Sequence, residues 1–120
     1  MGNAEAHFQL GYMYFRGVGV EKDDDKAVNY WEKAAIGGHP IARHNLGCHE
    51  EYNGNMERAV KHYIIAAKLG DEDSMKALWP NYKEGYISKE EYGATLRTHQ
   101  AAIDATKSAQ REKALSKIGK

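Results

Sequence analysis

A pattern that recurs along the first two thirds of the chain constrains its fold more than any other feature. The first copy spans residues 10–38 and contains a Leu-Gly pair, a glycine-rich turn, a Lys-Ala pair, a tryptophan and a terminal glycine. A partial copy spans residues 46–70, and a third, weaker copy begins at Gly70. Repeats of this length are typical of a solenoid, in which each unit buries its apolar face against its neighbours. We therefore expect an all-α chain.

The spacing of equivalent residues indicates that each unit is a pair of helices. Leu10 and Leu46 differ by 46 − 10 = 36 positions, whereas Ala34 and Ala66 differ by 66 − 34 = 32. The second unit is thus shorter by four residues, and the loss falls in the turn between its helices. A change confined to the turn is what a helix-pair repeat predicts. We predict a single domain over residues 1–120, with units at about 2–37, 38–69 and 70–104 and a C-terminal cap helix and basic tail at 105–120.

Capping residues predict where the helices begin and end. Three aspartates beginning at Asp23 suit a helix N-terminus, Pro40 suits a first turn, and Ser88 with Glu91 forms a capping box. Pro80 is expected to kink or shorten its helix. The predicted helices are 4–16, one from Asp23 to a glycine cap at 37–38, 40–52, 56–69, one from Asp71, and a long helix from Ser88.

The repeat assigns a structural role to small, aromatic and leucine positions. Small residues let two helices approach closely, and one aromatic ring in each unit fills the remaining space. In the third unit Trp79 takes the place of Gly11 and Gly47, so the close approach is not expected there. The predicted structural positions are Leu10, Gly11, Tyr14, Gly17, Gly19, Ala27, Trp31, Ala34, Ala35, Gly38, Leu46, Gly47, Ala59, Tyr63, Ala66, Ala67 and Gly70.

Composition argues against several classes of function. The 17 Lys and Arg residues balance the 17 Asp and Glu residues, whereas a nucleic-acid binder needs a basic face. No apolar run approaches the roughly 18 residues that span a bilayer. Gly17-Val18-Gly19 lacks the strand, third glycine and Gly-Lys-Ser/Thr of nucleotide-binding loops, so we predict a turn and no cofactor. Cys48 is the single cysteine, and with no signal segment we predict a cytoplasmic location.

The first copy closely resembles the Sel1-like repeat, a relative of the tetratricopeptide repeat, in the residues just described from Leu10 to Gly38. The resemblance is partial in the second unit, where Tyr63 replaces Trp31, and degenerate in the third. It implies antiparallel helix pairs stacked into a right-handed superhelix. It also implies a non-enzymatic adaptor or scaffold for protein complexes. Some cysteine-rich members have been described as penicillin-binding, but this chain has one cysteine and no Ser-x-x-Lys motif.

In the related tetratricopeptide stack the first helix of each pair lines the concave face, which predicts a groove for a peptide or protein segment. It would be aromatic at one end and cationic at the other. The predicted groove residues are Phe8, Tyr12, Phe15, His44, Cys48, Glu51, Lys76 and Lys83. Alternatively, the aromatic stripe packs on an upstream repeat or on a second copy. The layout of residues 2–6 resembles a repeat boundary, so the chain is also interpretable as a self-associating fragment of a longer array.

One further alternative concerns chemistry rather than binding. His44, Cys48 and Glu51 follow one another at i, i+4 and i+7 on one helical face, and all three are residue types that bind zinc. The same pattern fits a cysteine activated by a histidine, as in a hydrolase. Since a single helix supplies all three and no oxyanion donors are identifiable, we predict neither catalysis nor a metal site.

Overall fold

The computed structural model describes residues 3–118, which form six α-helices. The prediction of an all-α solenoid is confirmed, and the helix boundaries lie within two residues of those predicted. The helices are α1 Asn3–Arg16, α2 Asp24–Ile36, α3 Pro40–Tyr52, α4 Met56–Lys68, α5 Glu72–Lys83 and α6 Lys89–Ile118. The predicted repeat boundary at residues 2–6 begins at Gly2, which lies outside the described residues.

Glycine ends the helices in the same way from unit to unit. After α2, Gly38 has φ +90°, and its N–H donates to the carbonyl of Ala35 at 2.9 Å while His39 N–H donates to that of Ala34 at 3.1 Å. This pair of bonds satisfies carbonyl groups that have no partner within the helix. His39 then begins α3, because its Nδ1 accepts a hydrogen bond from the N–H of Ala42. Adjacent units are therefore joined by one short connection with defined geometry.

A glycine facing an aromatic ring holds each of the first two helix pairs together. A Cβ built on Gly11 of α1 would lie 2.4 Å from Cδ1 of Trp31 in α2. One built on Gly47 of α3 would lie 2.6 Å from Cε1 of Tyr63 in α4. Any side chain at either position would overlap the ring, so only glycine fits there. The repeat pattern and the packing thus identify the same two residues.

The leucine of each repeat packs against the unit that precedes it. Leu46 is buried with the alanines of α2, and Leu78 is buried with residues of α4 such as Tyr63. Leu10 occupies the equivalent position in α1 and is 36% exposed, because none of the helices in residues 3–118 packs on this side of α1 as α2 packs on Leu46. The end face of the first unit thus leaves a core position open to solvent.

The third helix pair departs from the repeat, as the replacement of glycine by Trp79 indicated. Trp79 is 50% exposed and packs at tilted angles against Tyr82 and Tyr92. Pro80 does not end α5, which continues to Lys83. α6 contacts α4 as well as α5, so this helix does not simply repeat the positions of α2 and α4.

Helical spacing predicts Tyr92, Leu96 and Ile103 as the apolar side of α6, but Tyr92 and Ile103 are only partly buried. Leu96 is 45% exposed, and the buried side chains of this helix are those of Thr95 and His99. His99 Nδ1 lies 2.8 Å from the carbonyl oxygen of Ala67 near the end of α4, and Nε2 lies 2.8 Å from Oε1 of Glu72. The sequence predicts that most histidines outside the His44–Glu51 segment are surface or capping residues, and His99 is an exception. The polar contact with the end of α4 decides which side of α6 faces inward.

The second half of α6 extends beyond the core. Every residue from 104 to 118 is exposed, yet the helix continues to Ile118. The expected polar C-terminal segment is thus present as an exposed helix, and it does not fray before the end of the described residues.

We predict that Gly47→Ala destabilises the protein because the new methyl group meets the ring of Tyr63. Overpacking costs about 1–3 kcal/mol, and the better helix propensity of alanine offsets about 1 kcal/mol of that. The unfolding free energy measured in urea should therefore fall by up to about 2 kcal/mol. Gly93→Ala in α6 is the matched control, since its methyl group meets only the flexible end of Arg97 at 3.4 Å. The control should be unchanged or more stable, and equal stability of the two variants would contradict the packing argument.

Candidate functional site

A cavity of about 510 Å³ opens between the first unit and the first helix of the second. We call it the aromatic groove. Its lining residues come from α1, α2 and α3: Tyr12, Phe15, Asp24, Val28, Trp31, Asn45, Cys48, His49 and Tyr52. Its volume lies within the range of small-molecule pockets.

Three helices supply the groove with large apolar surfaces. Phe15 of α1 packs against Trp31 of α2 with ring centroids 5.4 Å apart, which fixes one wall. Tyr52 ends α3 on the opposite side and is 91% exposed, so nearly all of its ring is available for contact. The groove is therefore apolar, formed before any ligand enters, and open to solvent.

Charged side chains of the same chain lie on the rim of the groove. The Lys22 ammonium is 2.7 Å from Oδ1 of Asp24 and 4.9 Å from the ring centroid of Phe15, and it donates to the Phe15 carbonyl at 2.9 Å. The Arg16 guanidinium lies 5.7 Å from the ring centroid of Tyr12. Asp24 is thus paired with Lys22, while Nη1 of Arg16 donates to the hydroxyl of Tyr12 at 3.2 Å.

The structure brings together three of the eight residues predicted to line the concave face. Tyr12, Phe15 and Cys48 line the groove. Phe8 instead stacks on His39, with ring centroids 4.4 Å apart, and packs on the core of the first unit.

The other predicted groove residues lie elsewhere. His44 and Glu51 belong to a polar cluster described below. Lys76 and Lys83 are exposed on α5, where the ammonium of Lys83 lies 5.6 Å from the ring centroid of Trp79.

Sequence reasoning missed the second helix as a source of groove residues. Asp24, Val28 and Trp31 recur at i, i+4 and i+7 on α2 and line the groove together. Tyr52 follows Cys48 by four residues, which places both on one side of α3. The helical spacing that identified the first-helix stripes was sufficient to find these residues as well.

Cys48 and His44 form a hydrogen-bonded pair on α3. Sγ of Cys48 lies 3.4 Å from Nε2 of His44. The opposite ring nitrogen, Nδ1, lies 2.7 Å from Oγ of Ser74 and 3.6 Å from Oδ2 of Asp71. Asp71 also begins α5 by accepting a hydrogen bond from the N–H of Ser74, so the two partners of Nδ1 are fixed to each other. The histidine is thus oriented by a different helix from the one that carries it.

Tyr63 completes the cluster from α4. Its hydroxyl donates to Oε1 of Glu51 at 2.8 Å, and its oxygen lies 3.6 Å from Sγ of Cys48. Burial of this ring, followed by its bonds to Cys48 and Glu51, holds the pKa of Tyr63 far above its ordinary value. The hydroxyl therefore keeps its proton and remains a donor.

The pKa values of the Cys48–His44 pair move in opposite directions. The hydrogen bond from His44 lowers the pKa of the Cys48 thiol, and Tyr63 adds to this, while burial opposes it. The bond to Cys48 raises the pKa of His44, with a further contribution from Asp71. These directions favour a thiolate facing an imidazolium.

The zinc alternative for this cluster is not supported by its geometry. Among residues 3–118 no three His, Cys, Asp or Glu side chains are grouped so that they share one ion. Glu51, the third residue of the predicted set, is held by Tyr63 instead.

Comparison with known families agrees with the repeat found in the sequence. The sequence model of the Sel1 repeat matches residues 4–39 and 40–71, which together cover more than half of the chain. The chain belongs to the Sel1 repeat family. Sel1 repeats are helical repeats that generally mediate protein–protein interaction. The third unit, 70–104, lies almost wholly outside the matched segments, so its assignment as a repeat remains a prediction.

No curated protein matches this Sel1 repeat chain. Of the helices in residues 3–118, none combines the length and the apolar character that crossing a membrane requires.

We predict that the His44–Ser74 bond couples the second unit to α5 energetically. His44→Ala and Ser74→Ala should each lower the unfolding free energy in urea. The double variant should lose about 0.5–1.5 kcal/mol less than the sum of the single losses, because the shared hydrogen bond is removed only once. Additivity of the two losses within about 0.3 kcal/mol would contradict this direct connection. Ser88→Ala, whose hydroxyl caps α6 away from His44, is the control partner and should be additive.

Proposed function

We propose that this Sel1 repeat protein is a non-enzymatic scaffold that binds a segment of a partner protein in the aromatic groove. The observation that carries the proposal is the groove itself, an open apolar cavity lined by four aromatic side chains. Protein–protein interaction is the general role of the family. A preformed groove does not have to order its own side chains fully on binding, which lowers the entropic cost of association.

The character of the groove suggests what a bound segment contains. The helical walls offer no free backbone edge, so a segment is recognised through its side chains and not as an added strand. An aliphatic or aromatic anchor suits the rings of Tyr12, Phe15 and Tyr52. Asn45 and His49 offer polar groups on the α3 side, and Arg16 offers a cation for a carboxylate near the anchor. The bound segment is thus a short apolar anchor next to an acidic residue.

The same proposal includes the cellular compartment of the protein and the number of its repeat units. We place the protein in the cytoplasm, a reducing compartment, where the free thiol of Cys48 persists. We also propose that α5 and the first half of α6 form a third, degenerate unit that closes the stack beyond α4.

The proposal is tested with peptides selected from a random phage-displayed library on the native chain. Tyr12→Ala with Tyr52→Ala removes two exposed rings without changing the core, and should weaken binding of the selected peptides at least about tenfold, since buried aromatic anchors dominate such interfaces. Isothermal titration or fluorescence polarisation measures the affinity. Tyr86→Ala, a similarly exposed ring outside the groove, is the control and should bind as the native chain does. Equal binding by the groove variant, or loss in the control, would show that the peptides bind elsewhere.

Self-association is a second candidate function, favoured by the exposure of Leu10. The equivalent leucines of the next two units are buried against a preceding helix, so the end face of the first unit is a ready contact for another copy. We expect the mass measured by sedimentation equilibrium to rise with concentration and Leu10→Lys to keep the chain monomeric. Leu115→Lys, on the exposed half of α6, is the control and should behave as the native chain does. A constant monomeric mass of the native chain would exclude this candidate.

A further inference from the structure

We propose that Cys48 is a nucleophilic site at which apolar α,β-unsaturated carbonyl compounds, once inside the aromatic groove, are bound covalently as thioethers. The proposal goes beyond segment binding and does not depend on it. Two observations carry it together. The thiol lines a preformed apolar cavity, and it is paired with a base that other helices orient.

The arrangement around the thiol is that of an activated nucleophile. A nucleophile, a base within hydrogen-bonding reach and a third group that orients the base form the general pattern. Here Cys48 is the nucleophile, His44 is the base, and Ser74 orients the ring of His44 at 2.7 Å. Ser74 is fully buried, so its hydroxyl is fixed relative to the ring. Cys48 itself is exposed, which leaves one side of its sulfur free to react.

The neighbouring helices place both charged and uncharged groups around the Cys48–His44 pair. On α3, Glu51 opposes the thiolate, and on α4 the Tyr63 hydroxyl supports it. At the start of α5, Asp71 and Asp73 support the protonated form of His44. On the groove side, Asp24 of α2 is paired with Lys22, and α1 contributes the uncharged rings of Tyr12 and Phe15. The dominant interaction is the direct bond between Sγ and Nε2, which favours separation of charge within the pair.

The reaction balances without any further reagent. The thiolate of Cys48 attacks the β-carbon of the enone, so a C–S bond forms and the C=C π bond breaks. The electron pair moves onto the carbonyl oxygen as an enolate. The imidazolium of His44 then gives its Nε2 proton to the enolate, which becomes the saturated ketone. Neutral His44 and a thioether at Cys48 remain.

The groove selects which electrophiles reach the sulfur. Apolar compounds with an aromatic or aliphatic group gain contact with Phe15 and Tyr52 while their β-carbon lies near Cys48. Small polar electrophiles make none of these contacts, so their reaction rate depends only on the protonation state of the Cys48 thiol. Two probes of the same chemistry separate these contributions: phenyl vinyl ketone is apolar, and acrylamide is small and polar.

The experiment measures second-order rate constants for both probes by intact-mass spectrometry between pH 5 and 9, with glutathione as the reference thiol. An ordinary thiol reaches half of its plateau rate near about pH 8.5, and we expect the acrylamide rate at Cys48 to do so at a lower pH. His44→Gln should move this midpoint upward, toward that of an ordinary thiol, because the hydrogen bond that lowers the pKa of the Cys48 thiol is lost. Tyr63→Phe keeps the ring against Gly47 and should move the midpoint in the same direction by less. His7→Gln changes a histidine of α1 that stacks on Tyr30 and does not line the groove. It is the matched control and should leave the midpoint unchanged.

The second readout is the ratio of the phenyl vinyl ketone rate to the acrylamide rate. This ratio should exceed that of glutathione at least about fivefold and fall toward it in the Tyr12→Ala, Tyr52→Ala variant, because lost aromatic contacts are worth about 1 kcal/mol or more. Each of three results would overturn the proposal. The first is a midpoint of the native protein at or above about 8.5. The others are a midpoint that His44→Gln leaves unchanged in a variant with native circular dichroism, and a ratio of the two rates equal to that of glutathione. Loss of peptide binding in the groove variant tests the proposed function separately, since peptide binding requires no change in the acrylamide midpoint.

Discussion

The contact between a glycine of the first helix and an aromatic ring of the second determines the geometry of both matched repeats. In unit one it places Trp31 against Gly11, and in unit two it places Tyr63 against Gly47. Because no side chain separates the ring from the helix backbone, the two helices approach closely and the ring has little freedom to move. Residues that contact these two rings are therefore also held in defined positions. Trp31 forms a wall of the aromatic groove, and Tyr63 holds the polar cluster.

The exchange of tryptophan for tyrosine at this position changes the chemistry of the unit without changing its packing. The ring of Tyr63 satisfies the contact with Gly47, while its hydroxyl reaches Glu51 and Cys48. The first-helix positions differ in the same way: Phe8, Tyr12 and Phe15 in unit one are replaced by His44, Cys48 and Glu51 in unit two. The repeat therefore supplies two copies of one scaffold, one with an apolar surface and one with a polar surface.

The parts of the fold that were predictable from sequence are those governed by local interactions. Asp23, Pro40, Ser88 and the terminal glycines act on their own backbone, so they gave the helix boundaries correctly. The buried side of α6 was not predictable in this way, because it depends on the carbonyl of Ala67 and on Glu72, which belong to other helices. The sequence predicted only some of the residues that line the groove, again because the groove depends on contacts between helices. Its walls come from both helices of one unit and one helix of the next, whereas the prediction considered a single row of first helices.

Cys48 lies at the boundary between the two surfaces, and this position gives it properties that neither surface has alone. An exposed cysteine on an apolar wall would have an ordinary thiol, and a cysteine within a buried polar network would be out of reach of a ligand. At the boundary, the second unit and α5 determine the protonation of the sulfur through His44, while the first unit determines what approaches it through Phe15 and Trp31. Both influences act through rigid elements, since the rings are fixed by glycine contacts and His44 by the start of α5. Stacking one apolar and one polar repeat is thus sufficient to place a hydrogen-bonded thiol beside an apolar groove, with residues of the two units and the first turn of α5.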